Sequence, residues 1–220
     1  MERVMQDTGL VVAAAGAGRR FGNDSKLLAD LDGTPVLCRC LLNLLPCIDP
    51  KLAVVTVPPD AVELFRNALA AAGIPDDVRL VPGGHERADS VLRGLRALPD
   101  SAVYAAVQDG ARPFSTADLL RRCVTSARTR GSGVAARRVT DTIKVADADG
   151  RVLSTPDRNT LRATETPQVF RRRDLIAAYE SLPDGARVTD DAQAMEVAGQ
   201  AVFLVEHTTN NRKITFRDDL

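Results

Sequence analysis

The sequence predicts an α/β protein, a mostly parallel sheet flanked by helices with a protruding β-arm, and three observations carry that expectation. Over the first 136 residues, short aliphatic runs alternate with amphipathic segments, the pattern of strands buried on both faces beneath helices. Between residues 138 and 158 the pattern breaks into two short, poorly apolar pieces around a turn. The chain has 220 residues, 45% of them apolar and 26% charged, which suits one domain with a substantial core. A single domain over residues 8–220 is therefore expected, with 138–158 as the arm.

Expected strands are Leu10–Ala14, Leu52–Val57, Val78–Val81, Tyr104–Gln108 and Gly133–Ala136, each a short run of aliphatic residues. Thr34 and Pro35 form an N-cap and first-turn pair for a helix to about Leu45. Ala61–Ala72 has helical period and ends at Gly73, and Glu86–Leu98 and Thr116–Thr129 complete the series. Thr142–Val145 and Arg151–Ser154 read as a hairpin around Asp147-Ala148-Asp149-Gly150. An arm this poor in apolar residues has no core of its own, so a homodimer is expected to cover it. The chain returns through helices near Arg172–Ser181 and Asp191–Ala198 and a final strand Ala201–Val205.

The 29 basic and 29 acidic residues balance, which argues against a general nucleic-acid binder. No segment approaches the roughly 20 apolar residues of a membrane span. The polar stretch Met1–Thr8 and the short apolar run after it do not make a signal peptide, so a cytoplasmic location is expected. Cys38, Cys40, Cys47 and Cys123 show no CxxC spacing and read as free core or near-surface thiols.

The first strand runs into Ala14-Ala15-Gly16-Ala17-Gly18-Arg19-Arg20, with Lys26 close behind. Small residues let backbone amides approach phosphate oxygens, and three cations supply charge. A dinucleotide fingerprint fails because its third glycine is one place late and no carboxylate closes the second strand. A P-loop fails because no GK[ST] follows. Two guanidinium groups inside the loop suit a nucleoside triphosphate. Gly83 and Gly84 leave backbone free to lie against a flat base, with His85 next and Ser90 on the first turns of the following helix.

With Leu31-Asp32-Gly33-Thr34-Pro35-Val36-Leu37, the opening loop resembles the sugar-phosphate nucleotidyltransferases. Gly83-Gly84-His85-Glu86-Arg87-Ala88-Asp89-Ser90-Val91, Asp109-Gly110-Ala111-Arg112-Pro113, Asp141-Thr142-Ile143-Lys144, Thr166-Pro167-Gln168 and Thr189-Asp190-Asp191 narrow it. In that order they resemble the 2-C-methyl-D-erythritol 4-phosphate cytidylyltransferase family, from Leu10 to Leu220.

The resemblance implies a Rossmann-like fold of the nucleotide-diphospho-sugar transferase type. It implies transfer of CMP from CTP to the 4-phosphate of methylerythritol, with release of pyrophosphate. Ala14, Ala15, Gly16, Gly18, Gly83, Gly84, His85 and Ser90 would hold CTP. Arg20 and Lys26 would stabilise charge on the triphosphate. Asp109 ends an apolar strand and can hold Mg²⁺ against the phosphates, since magnesium takes one or two carboxylates with phosphate oxygens and waters. Arg112 would meet the acceptor's phosphate, and Thr142, Arg158, Thr166 and Lys213 would bind and orient the acceptor, Arg158 in its own or the neighbouring subunit.

The sequence departs from the family at Gln108, Gly110, Ser25, Asn210 and Arg212. Two other readings stay open: a cytidylyltransferase for ribitol 5-phosphate or a related polyol phosphate, and a catalytically weak CTP-binding protein.

Overall fold

The computed structural model describes residues 4–16, 25–183 and 186–220. The elements in chain order are β1 (Thr8–Ala13), β2 (Asp30–Leu31), β3 (Thr34–Pro35), α1 (Val36–Leu44), β4 (Ala53–Val57), α2 (Val62–Ala71), β5 (Arg79–Pro82) and α3 (Arg87–Ala97). There follow β6 (Tyr104–Asp109), α4 (Ala117–Arg130), β7 (Ser132–Arg138), β8 (Val145–Ala146), β9 (Val152–Ser154), β10 (Arg162–Arg171), α5 (Arg172–Glu180), α6 (Asp191–Val197) and β11 (Leu204–Glu206). Seven strands form one sheet in the order β11-β7-β10-β6-β1-β4-β5. Every ladder in it is parallel except the two made by β10.

Both faces of the sheet are covered, and close glycine contacts identify the covering helices. A Cβ on Gly94 of α3 would strike Val11, whereas one on Gly110 would strike Leu37 of α1 and Val12. Val11 and Val12 point to opposite faces, so α3 and α1 lie on opposite sides. Helix α5 packs between α3 and α6, and α4 lies against β7 and β10. The strand residues Leu10, Val11, Val12, Val55, Val107 and Val134 have no exposed surface. All four cysteines are buried free thiols, and burial pushes Cys40 and Cys123 up to about 12. Among the described residues no helix is long and apolar enough to cross a membrane.

Three element readings change. Strand β10, the longest, is absent from the sequence reading because Pro167 and its polar neighbours look like a loop. Here Pro167 falls at a register shift between Thr164 and Gln168, where the ladder asks no N–H of it. Thr34 does not cap α1. It pairs with Leu31 across a two-residue turn, and the positive φ of Asp32 and Gly33 makes that short hairpin. The last strand starts at Leu204, because Ser132 Oγ takes the bond from the Phe203 amide and donates to the Ala201 carbonyl.

In the arm a fourth reading changes: β8 is only Val145–Ala146, leaving Thr142–Lys144 outside the strand, whereas β9 falls within the expected Arg151–Ser154. The arm's paired residues are Val145 with Ser154 and Ala146 with Val152. Gly150 has φ 83°, and Asp147 Oδ1 accepts from the Asp149 and Arg151 amides. Residues 141–155 are all exposed, Val152 and Leu153 by more than half.

Candidate active site

Strand order reverses at β1, which is flanked by β4 on one side and β6 on the other, and ligands bind at such a point outside the carboxyl ends of the strands. A cavity of about 210 Å³ opens there. Ala15 and Gly16 enter it after β1, Gly84, His85 and Ser90 after β5, and Asp109 from the end of β6, while Lys26 and Lys213 close the far side.

The turn after β5 is shaped by contact. A Cβ on Gly83 would lie 2.2 Å from Ala15 Cβ, and one on Gly84 would lie 2.2 Å from Asp89 Cβ. Two glycines are needed for the strand ends and the helix start to approach this closely. Ser90 Oγ accepts from the Gly84 amide at 3.0 Å and donates to the Glu86 carbonyl. A reciprocal capping box between Glu86 and Asp89 then starts α3.

Asp109 is the electrostatic centre. Its Oδ2 accepts from Lys213 Nζ at 2.7 Å, its Oδ1 lies 3.3 Å from Arg87 Nε, and Arg112 Nε stands 3.8 Å away. Burial alone would raise its carboxyl, but Arg87, Lys213 and Arg112 hold it well below the usual carboxylate range. Its backbone amide donates to Thr166 Oγ1 at 3.0 Å.

The loop bearing Lys213 is held from behind. Arg112 Nη1 donates to the Asn211 carbonyl at 2.7 Å, and Asn211 Nδ2 donates to Glu165 Oε2 and to the Thr166 carbonyl. The Ile214 amide donates to the Ala111 carbonyl. Lys26 Nζ reaches the Ile214 carbonyl at 3.4 Å and lines the cavity. Arg212 stacks over Phe114 at 5.1 Å, which gives the cation at that position an apolar contact of its own.

The structure therefore gathers Ala15, Gly16, Lys26, Gly84, His85, Ser90, Asp109 and Lys213 in one cavity. Ala14 lies buried just behind, its amide on the Thr56 carbonyl, and Gly83 is fixed by its amide on the Val57 carbonyl. Gly18 and Arg20 lie outside the described residues. Arg112 is turned away from the cavity toward Asn211, and Thr166 supports Asp109 from beneath. Thr142 and Arg158 are on the arm, where Arg158 Nη1 donates to the Thr140 carbonyl at 2.7 Å.

Sequence reasoning missed three roles. Arg87 lines the cavity and bridges Asp109 to buried Asp191, which also accepts from Tyr179. Glu165 collects Arg137, Asn211 and His207. Arg87 and Asp191 both stood inside motifs already singled out, but their pairing spans 104 residues and no local pattern encodes it.

Known proteins align with this arrangement over most of the chain. The family model for 2-C-methyl-D-erythritol 4-phosphate cytidylyltransferase matches residues 8–220. A cytidylyltransferase of that description from Trichormus variabilis is 38% identical over 214 residues, covering 96% of this chain and 93% of its own. One from Alkaliphilus oremlandii is 32% identical over 225 residues, covering 100% and 94%. The crystal structure of 4-diphosphocytidyl-2C-methyl-D-erythritol synthase from Anaerococcus prevotii superposes with a TM-score of 0.82 at 27% identity, covering 97% and 94%. The cytidylyltransferase of Thermus thermophilus gives 0.77 at 26% identity, covering 96% and 94%.

Proposed function

The chain belongs to the 2-C-methyl-D-erythritol 4-phosphate cytidylyltransferase family, and from that membership we infer how its own residues carry out the family's reaction. It is a CTP-dependent nucleotidyltransferase of isoprenoid precursor biosynthesis. It transfers CMP from CTP to 2-C-methyl-D-erythritol 4-phosphate, giving 4-diphosphocytidyl-2-C-methyl-D-erythritol and pyrophosphate. Ribitol 5-phosphate as acceptor and a non-catalytic CTP binder are not favoured by that match.

In the reaction an oxygen of the acceptor phosphate bonds to the α-phosphorus of CTP, and the bond from that phosphorus to the bridging oxygen breaks as pyrophosphate leaves. No protein nucleophile takes part, so catalysis rests on placing two anions together and stabilising the charge that develops. The observation that carries the residue assignment is Asp109 held between Lys213 of the last loop and Arg87 of the Gly83–Ser90 segment, all lining one cavity. Gly83, Gly84, His85 and Ser90 would receive cytidine, and Ala14, Ala15, Gly16 and Gly18 the triphosphate. Lys26 and Arg20 would stabilise the leaving pyrophosphate. Lys213 would pass from Asp109 to the acceptor phosphate. Arg112 and Thr166 would act through the loop and strand end that they brace.

The acceptor side of the cavity is thin in this chain's own residues, because Thr142 and Arg158 are out on the arm. A homodimer in which Arg158 of the partner subunit completes the site supplies the missing cation, and it also covers the exposed Val152 and Leu153. The location proposed is cytoplasmic.

Mg²⁺ is the proposed cofactor, and the donor set fits a metal carried largely by the substrate. Among the described residues no three His, Cys, Asp or Glu gather as a metal site, and both oxygens of Asp109 already face cations. The triphosphate would supply most ligands and Asp109 one oxygen at most. The ion would neutralise phosphate charge while the residues named above orient the reactants.

Pyrophosphate release with CTP, Mg²⁺ and methylerythritol phosphate tests the assignment. Lys26→Ala is expected to lower kcat by about 10²-fold, as for a lost oxyanion donor. Near-normal turnover of that variant at saturating CTP would contradict the role of Lys26.

A further inference from the structure

We propose that Arg87 is the positioning residue for Asp109, clamped for that task by Asp191 and Tyr179, and that it holds the carboxylate in place when Lys213 leaves for the acceptor phosphate. The proposal rests on the assignment of Lys213 and Asp109 above and deepens it.

Arg87 begins α3 and stands between two carboxylates. Its Nε is 3.3 Å from Asp109 Oδ1, while Nη1 and Nη2 reach Asp191 at 3.3 and 2.7 Å. Asp191 has no exposed surface, and the Tyr179 hydroxyl of α5 donates to its Oδ1 at 2.5 Å. Burial, then the charge of Asp191, pushes the Tyr179 hydroxyl up, so it remains a donor. A buried carboxylate with these partners has little freedom, and a guanidinium gripped by it through two nitrogens inherits that fixity.

The remaining nitrogen of Arg87 is directed at Oδ1 of Asp109, whereas Lys213 is on Oδ2. Arg112 cannot substitute, because its stronger bond is to the Asn211 carbonyl. When Lys213 moves to an incoming phosphate, Oδ2 loses its nearest cation and two anions stand close together. Arg87 then keeps Asp109 oriented and in contact with a cation. A lysine at this position could not grip Asp191 through two nitrogens while a third reaches Asp109, since an ammonium has one nitrogen and lacks the planar fork.

Arg87→Gln, Arg87→Lys, Asp191→Asn and Tyr179→Phe in the full chain test this, by kcat, acceptor KM, CTP Kd and melting temperature. Arg87→Gln and Asp191→Asn are each expected to lower kcat/KM for the acceptor by about 30-fold, with CTP Kd within about threefold of the parent. Arg87→Lys is expected not to recover the loss. The double variant is expected to be no worse than about twofold below the poorer single, as for residues acting as one unit. Tyr179→Phe removes one hydroxyl, loses less, and reads the clamp if Asp191→Asn does not fold.

A tenfold or larger rise in CTP Kd with kcat retained would overturn the proposal and make Arg87 a triphosphate ligand. Parent kinetics in both Asp191→Asn and Tyr179→Phe would overturn the clamp. Parent turnover in Lys213→Ala and Asp109→Asn would instead remove the underlying assignment, a result separable from any behaviour of Arg87.

Discussion

Lys213 Nζ stands 2.7 Å from Asp109 Oδ2 and so ties the last loop of the chain to the end of β6, across 104 residues of sequence. The same ammonium is the one assigned to the acceptor phosphate. Lys213→Ala is expected to lower kcat/KM for the acceptor by about 10²-fold while CTP binding changes little. Steady-state kinetics with each substrate varied in turn checks this.

Gly16 lines the cavity and Gly83 immediately precedes the lining residue Gly84, but the two differ in room. Gly83→Ala forces a Cβ to 2.2 Å from Ala15 Cβ, whereas a Cβ on Gly16 meets nothing within 4 Å. Gly83→Ala is expected to cost about 1–3 kcal/mol by overpacking, a fall of about 3–10 °C in Tm, and to raise the KM for CTP. Gly16→Ala is expected to leave Tm within about 1 °C. Thermal melts of the two variants side by side give the comparison.

Stability is expected to fall with acid in two windows. Burial lowers the His207 imidazole below its ordinary 6.5, against the opposing pull of Glu165 and with Arg137 and Arg122 adding to the lowering. The unfolded chain therefore binds the extra proton first, and this contribution is lost as pH falls below about 6.5. Asp109 is held below its ordinary 3.8, so its contribution is intact at neutral pH and is lost only as pH falls below about 4. Urea midpoints between pH 7.5 and 5 are expected to slope less in His207→Gln than in the parent. An equal slope would remove His207 as the cause.

Arg158 on the arm and Lys213 in the body are assigned to one site drawn from two subunits. Arg158→Ala and Lys213→Ala are each expected to be nearly inactive. Unfolded together and refolded as a mixture, they are expected to recover about a quarter of parental activity, since half the random dimers carry one intact site. No recovery would place Arg158 in its own subunit's site.

Much of this was legible in the sequence, because local patterns encode it. The aliphatic runs at Leu10, Leu52 and Tyr104 read as buried strands, and Thr116 and Gly131 bracket α4, Thr116 accepting from the Leu119 amide. The Gly83–Ser90 and Asp109 motifs marked the cavity walls. Strand β10 was not legible, because its partners β6 and β7 tolerate Pro167 only through a register shift that tertiary pairing creates. The bridge from Asp109 through Arg87 to Asp191, and the bracing of Lys213 by Glu165 and Asn211, were not legible either. They depend on side chains that meet only once α3, α6 and the last loop are packed together.

The acceptor is decided by the ratio of kcat/KM for two polyol phosphates. Purified protein with CTP and Mg²⁺ is offered 2-C-methyl-D-erythritol 4-phosphate and ribitol 5-phosphate in separate reactions, with pyrophosphate release followed and the cytidylyl product identified by mass. The expected product is 4-diphosphocytidyl-2-C-methyl-D-erythritol, with kcat/KM for methylerythritol phosphate at least about 10²-fold above that for ribitol phosphate. Equal or greater turnover of ribitol phosphate, or no pyrophosphate from either acceptor, would contradict it.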